Sequence, residues 1–161
     1  MAPSQPPSRS LLRFHETGNI RHRTTDSRTQ ALKNAAIEKD GMDSFFRGFP
    51  LVLSDVFHFA EHQDEIAWEP YKKGVDIFRL YGDGITGPTA ALVRYREHGE
   101  VPMHEHTGYE HILILAGSQR DENGTFKAGT LWINAPGTRH KVSSDDGCIV
   151  LAIYEKPVRF V

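Results

Sequence analysis

From residue 68 onward, the apolar positions fall in short blocks separated by turn-forming residues. Val75–Tyr81, Ala90–Arg96, His111–Ala116, Thr130–Asn134 and Cys148–Tyr154 are the blocks. Gly82-Asp83-Gly84, Gly87-Pro88, Gly117, Gly129 and Ala135-Pro136-Gly137 punctuate them. Blocks of this length with glycine and proline between them predict β-strands. His111–Ala116 is apolar on both parities, so a strand covered on both faces is expected there, and Cys148–Tyr154 is expected as a final core strand. Ser118–Glu122 and Thr125–Ala128 flank Asn123-Gly124, which predicts a hairpin turning on those two residues. Seven or eight short strands with such turns favour an all-β sandwich or barrel.

Upstream the pattern changes. Leu32, Ala35, Ala36 and Lys39 recur at three- and four-residue spacings, Asp26 or Ser27 can cap a start and Gly41 a stop, so a short helix is expected over 28–40. Phe45, Phe46, Phe49 and Leu51–Leu53 follow as an apolar extension that would fasten this region to the main domain or to a partner subunit. Residues 1–27 are rich in proline and arginine and poor in groups that form a core, which predicts a flexible tail. The expected organisation is a tail over 1–27, a helix and apolar extension over 28–67, and a β-domain over 68–161.

Composition narrows the function classes. A chain of 161 residues holds one domain with a sizeable core and small appendages. Its net charge of −2 gives no electrostatic argument for nucleic acid or a membrane surface, and the Arg21-His22-Arg23 cluster lacks the aromatic residues of a nucleic-acid site. No apolar run reaches the roughly 18 residues of a bilayer span. One cysteine, Cys148, rules out an intramolecular disulfide and suits a reducing compartment, so a cytoplasmic protein is expected. Cys148 itself lies in an apolar strand and reads as a core residue.

The candidate chemistry sits between the blocks. His104 and His106 are two apart and therefore share one face of a strand. Glu110 has the same parity and can rejoin them after the turn at Thr107–Tyr109, while His140 must arrive from a distant strand. Three imidazoles and one carboxylate form a mixed nitrogen and oxygen set suited to one Zn²⁺ or Fe²⁺, with Mn²⁺, Ni²⁺ or Co²⁺ as alternatives. His111 should face away from this group. A second pattern, His58-Phe-Ala-Glu61-His62, matches two helical metal ligands with a base between them, but no helical scaffold follows it, and a surface histidine cluster is the expected reading.

The order of these residues resembles the cupin superfamily. His104-Glu-His106, Glu110 and Gly117 fit its first motif, with Gly99 one residue closer than usual. Gly129, Gly137 and His140 fit the second, with Ala135 in place of the usual proline and Ser144 in place of a loosely kept asparagine. The stretches Arg94–Glu110, Gly117-Ser118, Asp121–Gly124, Ala135–His140 and Asp146–Cys148 are similar to the ChrR-like cupin domain, the metal-binding domain of certain zinc-dependent anti-sigma factors. The resemblance implies a double-stranded β-helix (a jelly-roll barrel), one divalent metal ion and a homodimer. It leaves two functions open: a metal-dependent enzyme, such as a dioxygenase of a small oxygenated organic substrate, or a non-catalytic metal- and ligand-binding module that senses or regulates. Tyr109, Arg94 and Arg139 are candidates to orient an anionic ligand in the barrel. The cysteine-containing zinc motif of the sigma-binding N-terminal domain is not found in these residues.

Overall fold

The computed structural model describes Leu12–Phe14, Leu51–Leu53 and residues 56–161. The helix expected over 28–40, most of the tail and the phenylalanines at 45, 46 and 49 lie outside the described residues. Strands β1 (Leu12–Phe14) and β2 (Leu51–Leu53) pair antiparallel as a separate ribbon. A 3₁₀ helix follows over Val56–Glu65.

The remaining ten strands form one antiparallel sheet. They are β3 (Glu69–Lys72), β4 (Val75–Tyr81), β5 (Thr89–Tyr95), β6 (Gly99–Glu105), β7 (Glu110–Asp121), β8 (Gly124–Lys127), β9 (Leu131–Asn134), β10 (Arg139–Ser144), β11 (Cys148–Tyr154) and β12 (Arg159–Phe160). Hydrogen bonding runs β12-β6-β10-β7-β11-β5-β4-β3, and β8 and β9 also pair with β7.

Strand β7 makes the sheet curl. Its first half pairs with β11 and β9, and its second half pairs with β8 and β10. The change of partners falls at Gly117, whose φ is +72° and whose missing side chain leaves room for the backbone of Gly147. Any Cβ there would meet the Gly147 carbonyl, so the bend requires glycine. The Ser144 hydroxyl donates to the Ser118 carbonyl at 2.6 Å and ties the end of β10 to the same corner.

The curled sheet separates two apolar layers. Inside lie Ile77, Val93, Tyr95, Val101, Ile112, Ile114, Val142 and Val150. Outside lie Phe78, Leu80, Leu92, Leu115 and Ile149, covered by Val56, Ala60, Ile66 and Trp68 from the 3₁₀ helix and its exit. This double cover explains why β4, β5 and β11 are apolar on both parities. Cys148 is buried in the inner layer, where desolvation pushes its thiol pKa up to about 12, in keeping with a packing role.

Two expectations are corrected. The closed jelly-roll barrel is instead an open, curled half-barrel, because the end strands β3 and β12 share no backbone pairing. Strand β12 has only two residues, and β3 carries Pro70, which has no N–H to offer. The ends meet through side chains, with the Lys72 ammonium 3.7 Å from the centre of the Phe160 ring. The hairpin turn is also displaced by one residue: Asp121 pairs with Gly124, so Glu122 and Asn123 form the turn. The Asp121 carboxylate accepts the Asn123 backbone N–H at 2.7 Å and sets that register.

Candidate metal centre

Strand pairing delivers the four candidate residues to one place. His104 on β6 lies directly opposite His140 on β10, and His106 follows two residues later on the same face. Glu110 opens β7, between Asn134 of β9 and Tyr154 of β11. One ligand atom from each of His104, His106, Glu110 and His140 lies within 4.8 Å of all the others, and all four residues are buried.

A bulge makes this arrangement possible. Val101 pairs with Val142 and His104 with His140, so two residues of β6 face one residue of β10. In a regular strand Val101 and His104 would point to opposite faces; the extra residue at Pro102-Met103 turns both inward. Proline suits this position because the bulge disrupts the ladder in which its missing N–H would otherwise be needed.

Each histidine is held by its Nδ1. His104 Nδ1 donates to the Pro102 carbonyl at 2.8 Å. His106 Nδ1 donates to the Thr138 hydroxyl at 2.8 Å, and that hydroxyl gives its own proton to the Ala135 carbonyl. His140 Nδ1 faces the Asp121 carboxylate at 3.4 Å. These partners are acceptors, so the proton of each neutral ring sits on Nδ1 and the lone pair on Nε2.

The Nε2 atoms then confront one another. His104 and His140 place theirs 3.1 Å apart. His106 Nε2 is 2.9 Å from Glu110 Oε2, yet it is buried without a hydrogen-bond partner. Three lone pairs and a carboxylate thus converge with no proton between them. A divalent cation at their centre removes the repulsion, so the donor set fits a metal ion, and the outward hydrogen bonds fix the tautomers that ligation requires.

The electrostatics agree. Burial lowers the pKa of His104 and of His140, which keeps both rings neutral. Burial would raise the pKa of Glu110, and with the histidine rings neutral the hydrogen bond from the Asn134 amide is what favours its carboxylate. The Asn134 amide donates to Glu110 Oε2 at 3.0 Å.

A small interior cavity of about 60 Å³ reaches His104, Glu110 and His140. Aliphatic side chains form most of its wall, with Tyr71, Tyr95, Tyr154 and Gln119 as the other polar groups. The residues expected to orient a ligand are elsewhere. Arg94 donates to Asp76 on the outer side of the sheet, Arg139 donates to Glu105, and Tyr109 is 46 % exposed. Asp121, Thr138 and Asn134, which hold the ligands, escaped the sequence reading because hydrogen bonds between distant strands leave no local signature.

The second histidine pattern does not form a site. His58, Glu61 and His62 lie on the 3₁₀ helix, where residues three apart align and residues four apart diverge. His62 instead contacts Glu65 at 3.2 Å. Among the described residues, the His104, His106, Glu110 and His140 group is the one that gathers metal-binding atoms. His111 is on the opposite face from Glu110, as its parity predicts, in register with Ile133 and Ile153.

Comparison with known proteins settles the family. The model of the ChrR cupin-like domain matches residues 58–158. The chain belongs to the ChrR cupin-like family. It is 40% identical over 115 residues to the anti-sigma-E factor ChrR of Cereibacter sphaeroides, an alignment that takes in 69% of this chain and 51% of ChrR. The chain therefore spans about half the length of that relative. The fold also matches the crystal structure of Rhodobacter sphaeroides SigE in complex with the anti-sigma ChrR, with a TM-score of 0.54 and 24% identity over 87% of this chain and 71% of the other. An acetylacetone dioxygenase from Acinetobacter johnsonii shares the fold at a TM-score of 0.54 and 16% identity, over 58% of this chain and 71% of that one.

These matches correct the expected homodimer. In the Rhodobacter sphaeroides crystal structure ChrR is in complex with a different protein, SigE. Within the 28–67 segment, Val56 and Ala60 pack on the outer face of the sheet, whereas Phe45, Phe46 and Phe49 lie outside the described residues. Among the described residues, no helix is long and apolar enough to cross a membrane.

Proposed function

We propose that His104, His106, Glu110 and His140 hold one divalent cation, and that the chain is a metal- and ligand-binding module with a sensing or regulatory role. The convergence of three Nε2 lone pairs and a carboxylate carries the metal assignment. The cation supplies a positive, Lewis-acidic centre that stabilises the inward-facing strands. Pro102, Thr138 and Asp121 orient the imidazoles, and Asn134 orients the carboxylate. Likeness to an anti-sigma factor supports the regulatory reading. Such a module would report to a protein partner, as the pairing of ChrR with SigE suggests.

The cavity supports a second reading. It opens on three of the four donors, so a small ligand can reach the cation from that side. Its volume of about 60 Å³ holds only a few waters, which favours a very small ligand unless the wall moves. A dioxygenase reading requires iron and room for an organic substrate beside it. Metal analysis of protein isolated without added metal, followed by oxygen uptake with a small β-diketone, separates the two. Tightly held zinc without oxygen uptake supports the regulatory module; iron with substrate-dependent uptake overturns it.

A further inference from the structure

Asp121 stands out among the residues around the centre because it serves two structures at once. Its side chain is fully buried although it belongs to the hairpin turn between β7 and β8. Oδ1 accepts the backbone N–H of Asn123 at 2.7 Å, and Oδ2 accepts the Asn123 amide at 2.9 Å. The same Oδ2 faces His140 Nδ1 at 3.4 Å. An exposed turn is thus joined through one carboxylate to the ring of a candidate metal ligand.

We propose that Asp121 is a positioning residue that fixes the His140 tautomer and couples metal loading to the order of the Glu122-Asn123 turn. The inference rests on the metal assignment above. With the Nδ1 proton held by Asp121, His140 presents its Nε2 lone pair to the cation. If the cation leaves, the facing Nε2 lone pairs of His104 and His140, 3.1 Å apart, repel each other. The His140 ring is pushed from its place, its Nδ1–H loosens from the Asp121 carboxylate, and the turn that this carboxylate organises loosens with it. Loading therefore becomes legible at the molecular surface about one side chain's length from the site. Thermodynamic linkage makes the coupling reciprocal, so a change that loosens Asp121 also weakens the metal.

Asp121→Asn separates this role from simple turn formation. Asparagine caps such turns as well as aspartate, since its carbonyl can replace Oδ1. Its NH₂ group then replaces Oδ2 and meets the His140 N–H donor to donor. Three measurements on the full chain decide the matter. Long-range ¹H–¹⁵N correlation of the metal-free protein reads the His140 tautomer, which is Nδ1–H in the wild type and moves toward Nε2–H in the variant. Competition with a chromophoric chelator reads Zn²⁺ affinity, which falls by about 10–100-fold in the variant. Hydrogen exchange of the Asn123 amide slows on zinc loading in the wild type and responds far less in the variant.

A residue that only caps the turn would leave tautomer and affinity unchanged, and that result overturns the proposal. Wild-type protein that takes up no zinc refutes the metal assignment and the coupling built on it. In that case the tautomer arm still shows whether Asp121 positions His140.

Discussion

His106 shows how a single side chain can call for a cation. Its Nδ1 is engaged by Thr138, its Nε2 is buried without a partner, and Glu110 faces that nitrogen at 2.9 Å. A buried polar atom left unpaired costs roughly 1–3 kcal/mol. Replacing His104 and His106 together by alanine should reduce metal content from one ion per chain to near zero, as read by inductively coupled plasma mass spectrometry; retained full occupancy would refute the assignment. Asp76 illustrates a charge outside the site. It is buried, which alone would raise its pKa, but hydrogen bonds from Arg94 and Arg96 outweigh burial and hold it below its ordinary value of 3.8. Because the folded pKa is the lower one, this pairing stabilises the fold above about pH 4 and is lost as pH falls through the folded value. Urea midpoints measured from pH 6 downward should fall at the acid end, and Asp76→Asn should flatten that slope while costing about 1–3 kcal/mol at neutral pH.

At the scale of the element, the sequence displayed the strands and concealed their irregularities. Val75–Tyr81 is a strand over those same residues, and the block beginning at Ala90 is shifted by only one residue. The bulge at Pro102-Met103 was not legible, because the pairing of Val101 with Val142 and of His104 with His140 depends on a partner strand about 40 residues away. The proline was a partial signal, since proline within a strand marks a bulge or an edge. The hairpin shifted for a local reason: the Asp121 carboxylate competes with Asn123-Gly124 for control of the turn. Gly117 was visible as a strand breaker, but it is a bend within one long strand, where β7 changes partners. Gly117→Ala should cost at least about 2 kcal/mol, because it combines a strained positive φ with a clash against the Gly147 carbonyl. Equilibrium urea unfolding checks this, and an unchanged midpoint would show that the bend does not depend on glycine.

For the molecule as a whole, the metal is expected to act as a fastener. The candidate ligands lie on β6, at its exit and on β7 and β10, so one cation would tie together segments distant in sequence. A ligand present at a thousand times its Kd adds about 4 kcal/mol to stability. Stripping the metal with a chelator should therefore lower the melting temperature by about 10 °C or more, and re-adding zinc should restore it. An identical melting curve for stripped and loaded protein would argue against a structural contribution. The sequence by itself determined the all-β class and the two-sided burial of the strand at His111, and it singled out His104, His106, Glu110 and His140 as the candidate ligands. Alternation and spacing are local properties, and a strand's parity encodes the face of each side chain. Only the tertiary structure decided that the sheet stays open between β3 and β12, that the cavity is small, and that Arg94 and Arg139 point away from it. It also decided which carboxylate holds His140, because hydrogen bonds and packing between distant strands are set by how the sheet curls.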